Sequence, residues 1–366
     1  MVKRWKIPFL DLKISRKTER QKLLSAINNV FEHGQFILGP EVQKFEEFIA
    51  RLCNTNYAVG VGSGTDALIL ALKCLGIGPG DEVITSSLSW IATANSISLV
   101  GATPVFADIE EDLNISTSSI ERLINTNTKA IMPVHYTGKV CDMTKVMILA
   151  DKYNLHVVED ASQSLAAYHR GKIAGSFGHV ACFSMNPMKI LSGCGEAGII
   201  VTNNSSYHEK LRSLRYNGTI NKEVCVQASH NSRLDTVQAA ILLERYKYLD
   251  DIINRRRRNA SIYNNLLRDI VSVPTEITGD RDVYYTYQIK TDSRDELQKY
   301  LTNHGVETKI QHPILMYQQP YYETLNNVHN ENAEKLLTQI LCLPVHEKLI
   351  PDDIRYVANV ISEFYK

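Results

Sequence analysis

The sequence lacks long apolar runs, and its first residues lack the apolar segment that is typical of a secretory leader. Among its 366 residues, no stretch of about 18 consecutive apolar residues occurs. The N-terminal "MVKRWKIPFLDLK" has basic residues but no apolar segment. We therefore expect neither a secreted protein nor a membrane protein.

The sequence also lacks an excess of charge and any paired cysteine motif. Lysine plus arginine and aspartate plus glutamate number 40 each, so net charge gives no reason to expect a nucleic-acid partner. Its seven cysteines form no Cys-x-x-Cys pair and no cluster with histidine at metal-ligand spacing. We expect reduced thiols, a cytoplasmic protein and no metal site.

Short β-branched runs alternate with helical patterns from residue 57 onward, as in "YAVGV", "TDALILALKCLG", "DEVITS", "ATANSISLVG" and "TPVFAD". This alternation predicts an α/β fold in which a mainly parallel sheet is flanked by helices on both faces. Ligands of such sheets bind beyond the carboxyl ends of the strands.

The pattern changes in the second half of the chain, where shorter strands and helices follow a long helical segment. We predict a large domain over residues 1–248 and a smaller C-terminal α/β domain over residues 249–366. Four adjacent arginines, Arg255 to Arg258, would splay over all faces of a helix. That pattern favours a solvated or ion-paired helix surface over a nucleic-acid patch.

Lys189 is the most informative single residue, because it stands between two apolar strand patterns in "VACFSMNPMKILSGCGEAGIIVTNN". Burying an unpaired ammonium group costs several kcal/mol or more, roughly, so the chain must expose it, neutralise it or use it chemically. A desolvated lysine can form a Schiff base with an aldehyde. The common alternative is a lysine that snorkels to the surface.

Three other motifs follow predicted strands, and each has a structural alternative. In "VGSGTDALILAL", Thr65 opens a helix whose free amides suit an anion, or the turn is a plain N-cap. In "LHVVEDASQ", Asp160 closes a buried strand and could pair with a protonated heterocycle, with Gln163 beside it, or it caps the next helix. In "SHNSRLDTVQAA", Asn231 and Arg233 precede a helix, where a capping role is the simpler reading.

The order and spacing of these motifs are more specific than any one of them. A phosphate-binding turn, an aspartate about a hundred residues later and a lysine about thirty residues beyond it match the needs of pyridoxal 5′-phosphate. That cofactor has a phosphate, a pyridine nitrogen to be kept protonated and an aldehyde.

Ordered matches across nearly the whole chain resemble the DegT/DnrJ/EryC1/StrS family of sugar aminotransferases, within the aspartate aminotransferase (type I) fold of pyridoxal-phosphate enzymes. They include "HGQFILGPEVQKFEEFIA", "GSGTDALILAL", "GATPVFADIE", "VVEDASQS", "GEAGIIVTN" and "NSRLDTVQAAILL". The resemblance implies that Lys189 binds the cofactor covalently and shuttles the proton. It implies that Asp160 pairs with the pyridinium nitrogen and that Gln163 bonds the ring oxygen.

The same resemblance implies further contacts to the cofactor. Gly64, Thr65 and Ser184 would hold the phosphate, and Trp90 would stack on the ring. Asn231 would reach the phosphate of the neighbouring subunit, so the resemblance implies a homodimer with shared active sites.

The resemblance also points to substrate residues. Arg233 would contact substrate across the interface, and Gln311 and His312 would line the sugar pocket where many members have His-Tyr before the proline. The lysine context "NPMKIL" and the Gly-Glu-Ala-Gly at residues 195–198 also depart from the usual pattern.

The sequence therefore predicts transfer of an amino group from L-glutamate to a nucleotide-linked keto-deoxysugar, with a 3-keto acceptor slightly favoured over a 4-keto one, for surface polysaccharide or glycoconjugate synthesis. Two alternatives remain: a transaminase of another keto-sugar or small phosphorylated ketone, and a non-catalytic regulator that binds pyridoxal phosphate. A dinucleotide-binding dehydrogenase is disfavoured, because no G-x-G-x-x-G follows the first strand.

Overall fold

A computed structural model describes residues 5–323 and 328–366, and it places a mainly parallel sheet at the centre of the large domain. The strands in chain order are β1 (Tyr57–Val61), β2 (Glu82–Ser86), β3 (Thr103–Ala107), β4 (Thr128–Met132), β5 (His156–Asp160), β6 (Tyr168–His169), β7 (Lys172–Ile173), β8 (Val180–Ser184), β9 (Gly198–Thr202), β10 (Thr219–Ile220), β11 (Val224–Cys225), β12 (Tyr287–Lys290) and β13 (Ile340–Leu343).

Helices separate most of these strands. In chain order they are α1 (Lys17–His33), α2 (Pro40–Leu52), α3 (Gly64–Cys74), α4 (Ala92–Leu99), α5 (Thr117–Leu123), α6 (Met143–Tyr153), α7 (Ser205–Leu214), α8 (Thr236–Tyr246), α9 (Leu249–Leu267), α10 (Arg294–Asn303), α11 (Pro320–Glu323), α12 (Glu331–Gln339) and α13 (Pro351–Phe364). Among the described residues, no helix is both long and apolar enough to cross a bilayer.

The central sheet has seven strands in the order β1-β9-β8-β5-β4-β2-β3 within the described part of the chain. The neighbours from β8 through β3 pair in parallel, whereas β9 runs antiparallel to both β1 and β8. The predicted α/β fold with a mainly parallel sheet is confirmed.

The sheet register brings the ends of four strands to one edge. Gly198 pairs with Val61 on one side and with Ser184 on the other. Asp160 pairs with Cys182 on the next strand, close to the end of β8. Residues that follow β1, β5 and β8 therefore meet beyond a single edge of the sheet.

Local sequence signals explain where several helices begin and end. Helix α1 ends at Gly34, whose φ of 67° is the left-handed conformation that favours glycine at a helix C-terminus. Helix α3 begins after Ser63, whose hydroxyl oxygen accepts a hydrogen bond from the Asp66 amide at 3.0 Å. The long helical segment predicted before the C-terminal part forms two helices, α8 and α9.

The C-terminal part has its own apolar core, built from α9, α10, α13 and the β12–β13 pair. Ile7 belongs to this core, because the amides of Lys6 and Ile7 both donate to Gly305. The N-terminal segment therefore lies against the C-terminal part of the chain. The predicted domain boundary falls at the start of α9 and stays a prediction.

Candidate active site

A cavity of about 550 Å³ lies beyond the carboxyl edge of the sheet and is closed on its other side by C-terminal residues. Nine of the predicted site residues line it: Gly64, Thr65, Trp90, Asp160, Gln163, Ser184, Lys189, Gln311 and His312. Residues from both halves of the chain thus form the walls of this cavity.

The turn between β1 and α3 presents free backbone donors to the cavity. The amide groups of Gly64 and Thr65 donate to no other described residue, because they belong to the unsatisfied first turn of α3. A Cβ atom on Gly64 would lie 2.6 Å from the Ser184 Cβ, so only glycine allows this approach of the two elements. The result is an anion site between a helix N-terminus and a serine hydroxyl.

Asp160 is a buried carboxylate whose hydrogen-bond partners are all neutral. One of its oxygens accepts from the Thr93 hydroxyl at 2.8 Å, and the other accepts from the Ser162 amide at 3.2 Å. Among the described residues, no lysine, arginine or histidine forms an ion pair with it. No regular helix begins directly after Asp160, so it is not a helix cap. A buried carboxylate in such surroundings fits a cationic ligand group.

Gln163 is fixed by its carbonyl oxygen, which accepts a hydrogen bond from the Thr137 amide at 3.0 Å. Its side-chain amide nitrogen donates to no described residue, so it remains a donor for a ligand. Thr137 itself has a φ of 64°, and this tight turn continues into Gly138 with a φ of 94°.

Lys189 lies half-buried on the cavity wall, with its Nζ atom 4.5 Å from the centre of the Tyr285 ring. Within the described residues, it forms no ion pair with an acidic side chain. The aromatic face orients the amine without sharing a proton with it. Lys189 is therefore neither snorkelled into solvent nor neutralised by a carboxylate, and its amine faces the same cavity as Asp160.

His312 is a buried imidazole whose Nε2 atom has no hydrogen-bond partner in the described structure. Its ring centre lies 6.0 Å from that of Trp90, whose indole is 62 % exposed. Burial, together with the nearby charge of Lys189, lowers the pKa of His312 to about 4. The imidazole is therefore neutral near pH 7 and can offer a ligand hydrogen bonds but no charge.

Asn231 and Arg233 do not line the cavity. Asn231 is exposed, and the guanidinium carbon of Arg233 lies 4.6 Å from the centre of the Tyr216 ring. Helix α8 begins at Thr236 with Asp235 at its N-cap position, so the reading of Asn231 or Arg233 as a helix cap is wrong.

Several lining residues were not predicted from the sequence: Phe9, Ser89, Thr93, Arg256, Tyr285, Lys309 and His346. Thr93 lies three residues after Trp90, in the first turn of α4. In the arginine run, Arg255 and Arg257 form ion pairs at the helix surface as predicted, but Arg256 points inward. It is buried, lies 3.0 Å from Glu347, and donates to the backbone carbonyls of Tyr284 and Tyr285.

Asp282 is another buried carboxyl, three residues before Tyr285 of the cavity wall. Burial is the main cause that raises its pKa to about 7, and the neighbouring carboxylates Glu276 and Asp280 add to this, whereas Lys139 and Arg257 oppose it. One of its carboxyl oxygens has no hydrogen-bond partner. The folded protein therefore holds a proton on Asp282 at pH values where the unfolded chain has lost it.

We expect Asp282→Asn to stabilise the protein at high pH. Because the folded pKa is raised, the wild-type penalty grows as pH rises from about 4 to about 7 and is constant above that. The gain in unfolding free energy should increase by about 2 kcal/mol between pH 5 and pH 8. Urea unfolding at both pH values measures it, with the exposed Asp269→Asn as control. A gain that is equal at both pH values would contradict the assignment.

Comparisons with known proteins show what the whole chain is similar to. A model of the DegT/DnrJ/EryC1/StrS aminotransferase family matches residues 17–362. The chain is 38 % identical over 364 residues to the dTDP-3-amino-3,4,6-trideoxy-alpha-D-glucose transaminase of Streptomyces venezuelae, covering 98 % of this chain and 96 % of that one. It is 36 % identical to the "Pleiotropic regulatory protein" of Geobacillus stearothermophilus, covering 98 % and 99 % of the two chains.

A solved structure has the same fold. The crystal structure of S. venezuelae DesV, described as in complex with a ketimine intermediate, superposes with a TM-score of 0.95 at 37 % identity over 98 % of each chain. The predicted type I fold is therefore confirmed, and the aminotransferases of this family depend on pyridoxal phosphate.

Proposed function

Because the chain belongs to the DegT/DnrJ/EryC1/StrS aminotransferase family, we propose that it transfers an amino group from L-glutamate to a nucleotide-linked keto-deoxysugar. One observation carries the proposal: a single cavity unites an unpaired lysine, a buried carboxylate with only neutral partners, and two free helix amides. A cofactor with an aldehyde, a basic ring nitrogen and a phosphate fits these three features.

The residues present fit pyridoxal 5′-phosphate. Gly64, Thr65 and Ser184 would hold its phosphate, because two amides and a hydroxyl point to the anion site described above. Asp160 would pair with its ring nitrogen, and Gln163 would donate to its ring oxygen. When bound, the cofactor supplies an electron-accepting ring and carries the amino group between the two substrates.

The protein's own part in the reaction is to position groups and move protons. Lys189 would take the proton from the donor carbon and return one to the acceptor carbon, because its amine has no competing carboxylate. Asp160 keeps a negative charge in place at the base of the cavity, and Thr93 and Ser162 fix the orientation of that carboxylate.

Trp90 and His312 would shape the sugar side of the cavity. The largely exposed indole of Trp90 offers a flat apolar face that a bound ring would cover. Gln311 and the neutral His312 would contact sugar hydroxyl groups. A 3-keto acceptor remains slightly favoured, since the S. venezuelae relative is named for a 3-amino sugar.

A homodimer with shared sites is part of the proposal. Asn231 and Arg233 lie outside the cavity of their own chain, as residues that serve a neighbouring subunit would. The β10–β11 hairpin nearby exposes Ile220, Val224 and Val226, and such apolar groups favour a subunit contact. We also propose that the protein is cytoplasmic, because its seven cysteines form no disulfide.

The activity is tested with purified holoenzyme, L-glutamate and three acceptor types, by measuring 2-oxoglutarate. The acceptors are UDP- or dTDP-linked 3-keto sugars, the corresponding 4-keto sugars, and small phosphorylated ketones. We expect acceptor-dependent turnover, fastest with a 3-keto sugar. The similarity to the Geobacillus regulatory protein makes a non-catalytic regulator the second candidate. Binding of the cofactor without 2-oxoglutarate formation from L-glutamate and any of these acceptors would favour that candidate. Turnover only with small phosphorylated ketones would show that the acceptor is not a nucleotide-linked sugar.

A further inference from the structure

We propose that Lys309 binds the anionic end of a substrate in the active-site cavity. The shared ligand chemistry is a group of anionic oxygens, which is either the diphosphate of the sugar acceptor or the distal carboxylate of the amino donor. The inference rests on the proposed function, because that function supplies these two anions.

The backbone around Lys309 is fixed and directs its side chain to the cavity. Lys309 and Cys342 exchange both backbone hydrogen bonds, at 3.2 and 2.8 Å, so residue 309 extends the β12–β13 sheet. Side chains two residues apart on an extended segment lie on the same face. Lys309 and Gln311 accordingly both line the cavity.

The ammonium group of Lys309 is exposed and lacks an ion-pair partner among the described residues. Its Nζ atom lies 4.9 Å from the centre of the Phe9 ring, which orients an ammonium group without neutralising it. The closest acid along the chain, Glu307, accepts a hydrogen bond from the Phe9 amide at 2.9 Å. Among the described residues, no acidic side chain forms an ion pair with Lys309.

The other cations that line this cavity are Arg256, whose Nε group alone lacks a hydrogen-bond partner among the described residues, and Lys189. Arg256 is held by Glu347 and by two backbone carbonyls. Lys189 is the reactive amine of the proposed mechanism. Lys309 is thus a positive charge without an ion-pair partner on the C-terminal wall, and its three donors suit carboxylate or phosphate oxygens.

The test compares Lys309→Met, which removes the charge, with Lys309→Arg, which keeps it, in the holoenzyme. Lys299→Met is the matched control, because Lys299 is an exposed lysine on α10 that does not line the cavity. The readouts are calorimetric binding of dTDP, UDP and glutarate, and the KM values for L-glutamate and for the sugar acceptor.

In Lys309→Met, the loss of one charge-assisted contact should weaken the binding of one ligand class by about tenfold to a hundredfold. Lys309→Arg should stay within about threefold of wild type, and kcat should change less than KM in both. Weaker dTDP and UDP binding with a raised acceptor KM assigns the diphosphate. Weaker glutarate binding with a raised glutamate KM assigns the amino donor.

Two outcomes would overturn the inference. Unchanged binding of all three probes in Lys309→Met would remove Lys309 from recognition. Equal weakening of both classes would indicate a structural effect instead. Both differ from failure of the proposed function, in which the wild-type protein itself would not transaminate.

Discussion

Replacement of Lys189 with alanine should lower the transamination rate by about a thousandfold or more. The amine faces the cavity beside Tyr285, and no described carboxylate competes for it. Its loss removes both the nucleophile and the proton carrier, and proton transfer alone is worth roughly a hundredfold to ten-thousandfold. Rates of 2-oxoglutarate formation from L-glutamate measure the effect.

Lys189→Arg separates the chemistry of Lys189 from its charge. A guanidinium group keeps the positive charge but stays protonated, so it cannot serve as nucleophile or base. We therefore expect Lys189→Arg to be as inactive as Lys189→Ala, while Lys299→Ala keeps full activity. If Lys189→Ala retained activity within tenfold of wild type, the reactive amine would have to lie elsewhere.

Asp160→Asn should lower kcat by about a hundredfold to a thousandfold, which is the second-largest expected effect. Asparagine nearly keeps the shape: its one carbonyl oxygen can accept from the Ser162 amide, and its NH2 group can donate to the Thr93 hydroxyl oxygen. It removes the negative charge that faces the cavity, and such preorganised charges are worth about this much in enzymes. Steady-state kinetics with saturating L-glutamate measures it.

Thr93→Val provides the graded control for Asp160. It removes one of the two hydrogen bonds to the carboxylate but leaves its charge, so we expect a loss of only about tenfold. If both variants are folded by circular dichroism and the kcat of Asp160→Asn is well below that of Thr93→Val, the charge is the decisive property. If the kcat of Asp160→Asn stayed within fivefold of wild type, the negative charge of Asp160 would have no such role in catalysis.

Much of the sheet could be predicted because its signals are local. β-Branched runs and helical periods alternate from residue 57, and their ends fall at the predicted positions in β1, β5 and β8. The antiparallel direction of β9 could not be predicted, because an apolar run buried on both faces reads the same in either direction.

The residues of the C-terminal wall of the site could not be predicted from the sequence. Tyr285, Arg256 and Lys309 lie far along the chain from Lys189, and only the tertiary fold brings them to the same cavity. The sequence predicts Arg256 as one of four surface arginines, because nothing local marks the one that is buried. The residues found from sequence instead follow strand ends, where topology alone fixes the location.

The most direct test of the central claim is the visible absorption spectrum of the purified protein with pyridoxal 5′-phosphate, before and after addition of L-glutamate, with Lys189→Ala in parallel. We predict that the wild-type protein shows an absorption band of the lysine-bound cofactor and that glutamate removes this band. Lys189→Ala should lack the band. A wild-type protein without such a band, or a band that no amino donor changes, would contradict the claim that Lys189 and Asp160 form the centre of an aminotransferase.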